Sequence, residues 1–159
     1  MDAADRAIAE IERLSGQDIQ QRNIGPLAAF TRGPLVRAAA SLARPPSPSI
    51  AIITGFYLGH GEPPNCETDG PPGAVMLAAG FAAAGIPCRI ATDLINARVL
   101  RATAAAADPE GRIPIDILSM RPKGGDGGEP LARVEELWTR QCPPITHVIS
   151  IERCGPSRD

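Results

Sequence analysis

The chain has 159 residues, with 16 Lys plus Arg against 18 Asp plus Glu and a formal net charge of −2. That length fits one ordinary domain, and the balanced charge carries no basic footprint for nucleic acid or a membrane surface. Hydrophobic residues make up 43% but aromatics only 3%, so the core has to be built from Ile, Leu, Val and many Ala. No apolar run reaches the ~20 residues that span a bilayer. The opening MDAADRAIAEIERL lacks the basic start and continuous apolar stretch of a signal peptide, and its acids argue against a transit peptide. Cys66, Cys88, Cys142 and Cys154 form no CxxC pair and no zinc spacing. Reduced thiols in a cytoplasmic setting are the expectation, with two disulfides as the alternative.

Taken in chain order, Ala4, Ile8, Ile11 and Leu14 fall at helical spacing and predict a helix over 3–14, ended by Ser15-Gly16. Residues 16–33 are polar and glycine-bearing and read as a surface wrap. Gly33-Pro34 opens a second helix to about Ala43, with Pro34 in the first turn. Residues 45–48 form a Pro-rich linker that cannot be helical. Strands follow at Ser49–Thr54, Cys88–Thr92, Ile113–Ser119 and Thr146–Ile151, with Pro114 demoting the start of the third. Between them the pattern predicts helices over 74–84, over 94–107 with Asp93 as N-cap, and over 130–141. The stretch 121–129, rich in glycine, reads as a flexible connector.

This strand–helix alternation predicts an α/β fold: a three-layer, Rossmann-like domain with a mainly parallel sheet of at least four strands. The expected organisation is a single domain over 1–159, with a helical segment at 1–44, the linker at 45–48 and the core at 49–159. The last predicted strand has no closing helix after it, and a chain truncated at its C-terminus is the expectation.

In open parallel sheets, ligands bind at the carboxyl ends of the strands. Those ends read Thr54-Gly55-Phe56, Thr92-Asp93, Ser119-Met120-Arg121 and Ile151-Glu152-Arg153. The loop after the first strand, 55–74, is far longer than the two to six or so residues usual in such a unit. It closes on Glu67-Thr68-Asp69-Gly70-Pro71-Pro72-Gly73, two carboxylates and a hydroxyl just before a helix N-terminus. Glu67 and Asp69 are candidates for an acid/base pair, for ligands to a cationic amine, or for part of a hard-metal site; a solvated turn is the plain alternative. Free N–H groups at that N-terminus, near Gly73, suit a carboxylate or phosphate. Arg153 offers a planar fork for a substrate carboxylate, against the alternative of a surface ion pair with its neighbour Glu152. Neither a G-x-G-x-x-G nor a P-loop motif is present, so a tightly held dinucleotide or ATP is not supported. His60 lies in the long loop within reach of a site, whereas His147 reads as structural.

Several of these segments, taken together, resemble one family. Ile53-Thr54-Gly55-Phe56, Glu67-Thr68-Asp69-Gly70-Pro71 with Gly73-Ala74, Ala91-Thr92-Asp93, and Ile149-Ser150-Ile151-Glu152-Arg153 with Gly155 resemble the C-terminal domain of D-glutamate cyclase in order and rough spacing. Two departures stand out: the family usually has Pro at the position of Cys154, and its members continue past the I-E-R block. The resemblance therefore covers the N-terminal portion of that domain. It implies a lyase that converts D-glutamate to 5-oxo-D-proline with loss of water and needs no cofactor. It implies Glu67 and Asp69 in proton transfer or in holding the amine. Arg153 and the N–H groups near Gly73 would bind carboxylate, and Thr54, Gly55, Thr68, Asp93 and Glu152 would complete the pocket. The expected partner is a small amino acid or carboxylate, with no metal, nucleic acid or membrane, and a homo-oligomer is open. Two rivals stand beside it: a non-catalytic module binding a carboxylate metabolite or nucleotide, and an incomplete fragment that needs a second chain.

Overall fold

The structure, a computed structural model, describes residues 2–19, 21–30, 33–44, 47–59, 65–118, 135–136, 138–140 and 142–153. It divides into two compact units, 1–47 and 48–159, so the break falls within the predicted Pro-rich linker.

Among its described residues the first unit holds three helices: α1 (Ala3–Ser15), α2 (Gly25–Phe30) and α3 (Pro34–Leu42). Asp2 and Asp5 form a reciprocal capping box at the start of α1. The Glu12 carboxylate accepts the N–H groups of Gly33 and Leu35 at 2.7 and 2.9 Å, and so supplies the anion that the N-terminus of α3 lacks. α2 lies inside the stretch read from sequence as a polar wrap. Six residues give too short a window for helical periodicity to register.

The second unit is built on a four-stranded, all-parallel sheet in the order β5-β4-β1-β6, from β1 (Ile50–Thr54), β4 (Cys88–Asp93), β5 (Ile115–Leu118) and β6 (His147–Ile151). This is the α/β class the alternation predicts, consistent with its three-layer form. The strand bounds agree with the sequence reading within a residue or two, because β-branched runs leave little choice. Ile50, Ala51, Ile52, Ile90 and Ala91 have no exposed surface; nor do Ala74, Val75 and Ala78 of α4 (Gly70–Ala83) or Leu100 of α5 (Ala97–Ala107). Alanine faces let α4 and α5 pack closely against each other and the sheet. A two-residue hairpin, β2 (Tyr57–Leu58) against β3 (Asn65–Cys66), interrupts the long loop after β1.

Helix starts are where sequence and structure differ. α4 begins at Gly70 rather than at 74, because Pro71 and Pro72 occupy first-turn positions whose N–H groups would have no partner anyway. α5 begins at Ala97 rather than at 94. Asp93 is the last residue of β4, and its carboxylate folds residues 94–96 into a turn by accepting the Asn96 N–H at 2.9 Å. The connector at 121–129 and most of the predicted helix over 130–141 lie outside the described residues. Within that helix, Arg140 donates its N–H to the Glu136 carbonyl, as a helix requires.

The topology fixes where a ligand can lie. From β1 the chain steps outward to β4 and β5, then returns to add β6 on the other side of β1. Thr54 pairs with Ile151 in register. The ends of these two neighbouring strands therefore lie where the strand order reverses, the topological switch point at which open parallel sheets form their crevice. Among the described residues, no helix is long and apolar enough to cross a membrane.

Candidate functional site

The carboxyl edge of the sheet brings the segments 54–55, 67–70, 93–96 and 152–153 together, and they divide into two halves. The buried half centres on Asp93. Burial works against its charge, but hydrogen bonds from the Arg153 guanidinium and from the backbone and side chain of Asn96 outweigh it and hold the carboxyl below its usual range. Arg153 Nη1 forms an ion pair with Asp93 Oδ2 and also donates to the Gly55 carbonyl at 3.1 Å. Asn96 Nδ2 reaches both Asp93 oxygens at 2.9 Å. Gly55 makes this contact possible. Its φ is +120°, and a Cβ there would lie 2.8 Å from both Asn96 Cγ and Thr92 Oγ1. Thr92 Oγ1 in turn donates to the Thr54 carbonyl at 2.8 Å, tying β4 to the end of β1.

The other half is acidic and open. One carboxylate oxygen from each of Glu67, Asp69 and Glu152 lies within 4.8 Å of the others. Glu67 is placed by its N–H, which donates to the Phe56 carbonyl at 2.8 Å across the hairpin loop. Asp69 is the N-cap residue of α4, but its side chain makes no capping bond, which leaves it facing Glu152. A hydrogen bond with Asp69, desolvation, and the charges of Asp69 and Glu67 push the Glu152 carboxyl above its usual range. The Gly70 N–H pulls the other way and is outweighed. Glu152 sits at φ 48°, a left-handed backbone that a non-glycine residue adopts at a cost of ~1 kcal/mol or more. Strain of this kind recurs at functional sites. Here it turns Glu152 toward Gly70 while Arg153 reaches Asp93.

Gly70 is the seam between these groups. A Cβ there would lie 2.9 Å from Glu152 Oε2 and 3.0 Å from Thr54 Oγ1. Thr54 is fully buried, and its hydroxyl has no hydrogen-bond partner among the described residues.

The sequence-predicted residues thus converge, with three changes of role. Gly73 lies within the first turn of α4, and its N–H donates to the Asp69 carbonyl at 3.2 Å. Because Pro71 and Pro72 have no N–H and that of Gly70 meets Glu152, the start of α4 is not the anion cradle expected. Arg153 spends Nη1 on Asp93 and Gly55 rather than pairing with its neighbour Glu152. Thr68 is exposed beside the cluster. Asn96 and Gly70 were not singled out from sequence. An Asp-x-x-Asn at a strand end was the available signal for the first, whereas nothing local marks the second. His60, Ser119, Met120, Arg121 and Cys154 lie outside the described residues. Cys88 and Cys142 are free thiols, and Cys66 Sγ donates to the Ile95 carbonyl at 3.4 Å. Burial pushes the Cys88 thiol up to about 11, and burial, followed by the charge of Asp93, raises that of Cys66. Neither is suited to act as a nucleophile.

Comparison with known proteins agrees with the geometry. The profile of the family described as "D-glutamate cyclase-like, C-terminal" matches residues 11–159. Mitochondrial D-glutamate cyclase of Homo sapiens is 32% identical over 159 residues, which cover 99% of this chain and 25% of the human protein. The chain thus spans about a quarter of the curated relative it matches. No solved structure matches it. The chain is therefore a member of the D-glutamate cyclase-like C-terminal family.

Proposed function

We propose that this domain acts as a glutamate-cyclase-type lyase, closing D-glutamate to 5-oxo-D-proline and releasing water. In that reaction the substrate amine forms a bond to its own γ-carboxyl carbon, a C–O bond breaks, and the oxygen leaves as water. The step is unimolecular, so holding the extended substrate in a bent, near-attack geometry provides much of the acceleration. The remainder is proton traffic: the substrate ammonium must lose two protons in all, and the leaving carboxylate oxygen must gain two.

The observation that carries this reading is the convergence of Glu67, Asp69 and Glu152 at the switch-point crevice of a family member. Carboxyl groups crowded this closely exchange protons and attract an amine. Arg153, with Asp93 and Asn96 behind it, forms a rigid wall on the other side. Gly55 and Gly70 let the two sides approach closely, because a side chain at either would clash with its neighbours.

The test is to incubate the purified chain with D-glutamate and follow 5-oxoproline, in parallel with L-glutamate. Product from the D-enantiomer, lost in Glu67→Gln and Asp69→Asn, is the expected result. Turnover unchanged in both variants removes them from the reaction. Saturable binding of D-glutamate without product would make the domain a binding module, the reading that fits a chain spanning a quarter of its relative.

A further inference from the structure

Asp93 is balanced by Arg153, but the carboxylates of Glu67, Asp69 and Glu152 have no cation against them among the described residues. The Thr54 hydroxyl, fully buried and without a hydrogen-bond partner, stands beside them. A buried polar group left unsatisfied is destabilising. Thr54 Oγ1 and Glu152 Oε2 lie 3.0 and 2.9 Å from the position a Cβ on Gly70 would take, so the two oxygens approach the same side of this glycine. The hydroxyl therefore lies against the edge of the acidic cluster.

We propose that Glu67, Asp69 and Glu152, with the hydroxyl of Thr54, form a binding site for one hard divalent cation of the Mg2+, Mn2+ or Ca2+ class. All four donors are oxygens, three of them anionic, which is the ligand set such ions select. A separation of up to 4.8 Å between carboxylate oxygens suits opposite ligands of an ion with metal–oxygen distances near ~2.4 Å and asks only side-chain adjustment from a smaller one. An anion is excluded on the same geometry, since the N–H groups at the start of α4 are spent or absent. The ligands come from both loops that leave the switch point, so a bound cation would pin the two together.

The site also bears on the cyclase reading, and this part of the inference rests on that reading. D-Glutamate carries two carboxylates, and the cleft as its residues stand is net negative. A cation between the three acids and the substrate would supply the positive charge that Arg153 has committed to Asp93.

The experiment reads binding alone, without substrate, so its outcome is separate from that of the turnover assay. Mn2+ is titrated into the full chain at physiological ionic strength and free Mn2+ is followed by electron paramagnetic resonance, with Mg2+ and Ca2+ as competitors. The expected result is one saturable equivalent, weakened at least about tenfold in Asp69→Asn and in Glu152→Gln. Glu110→Gln, remote from the cluster, binds as the parent does. Thr54→Val separates a ligand from a structural hydroxyl. As a ligand, its loss weakens Mn2+ by roughly threefold or more, while the cation-free protein melts no lower than the parent because an unsatisfied polar group has gone. No saturable binding in the parent overturns the proposal. Unchanged affinity in both carboxylate variants overturns the site, and unchanged affinity in a folded Thr54→Val removes Thr54 from it.

Discussion

The two halves of the crevice carry the same kinds of group and hold them in opposite ways. Around Asp93 the carboxylate is buried, paired with Arg153 and bonded to Asn96, and its proton is held more weakly than usual. Around Glu152 the carboxylates crowd one another near solvent, and the proton of Glu152 is held more tightly. The first arrangement is architecture, because a buried charge persists only when paired and bonded. The second is stabilised by none of its own charges. It persists because β6, the hairpin loop and the proline-led start of α4 fix its backbone.

Several substitutions break or sharpen that contrast. Arg153→Met should have the largest effect, leaving Asp93 charged and unpaired. Because the Arg153 side chain is 24% exposed, the loss should fall at the low end of the range for a broken buried pair, about 3 kcal/mol, read from urea unfolding. Gly55→Ala comes next at roughly 2–3 kcal/mol, because the new Cβ meets Asn96 and Thr92 at 2.8 Å on a backbone with positive φ. Gly70→Ala should cost less, about 1–2 kcal/mol, since its closest clash, with Glu152 Oε2, is with the end of a flexible side chain. Asp69→Asn should do the reverse of Arg153→Met and raise the melting temperature slightly, because it removes a like charge facing Glu152.

The pH dependence should also run in two directions. Asp93 titrates below its ordinary 3.8 when folded, so its contribution is full above that value and is lost as pH falls through the lower folded value. Glu152 titrates above its ordinary 4.5 when folded. It therefore favours the folded state most below that value and loses the contribution as pH rises through the higher folded one. In melts across this range, Arg153→Met should flatten the acid-side loss. Asp69→Asn should gain most on the alkaline side, where both carboxylates of the parent are ionised.

Much of the scaffold was legible before any coordinates. SIAIIT, CRIAT and THVISI are short β-branched runs that can scarcely be anything but buried strands, and parallel strands place their ends on one edge. Glu67, Asp69, Asp93, Glu152 and Arg153 followed from that edge and from the family likeness. The partnerships did not. Glu152 and Arg153, adjacent in sequence, offered carboxylate binding by Arg153 or a local ion pair, yet the left-handed backbone at Glu152 sends one to Gly70 and Asp69 and the other to Asp93. Gly73 read as an open anion donor because Pro71-Pro72 was taken to precede the helix rather than begin it. The close approach at Gly70 depends on the distance to a loop 82 residues away at Glu152, and no local pattern encodes it.

The most direct measurement of the contrast is a side-chain carboxyl titration by 13C NMR, with Asp93 and Glu152 assigned individually. The account predicts Asp93 below 3.8 and Glu152 above 4.5, with Glu152 returning toward its ordinary value in Asp69→Asn while Asp93 stays in place. A Glu152 carboxyl that titrates at or below 4.5 in the parent chain would contradict it.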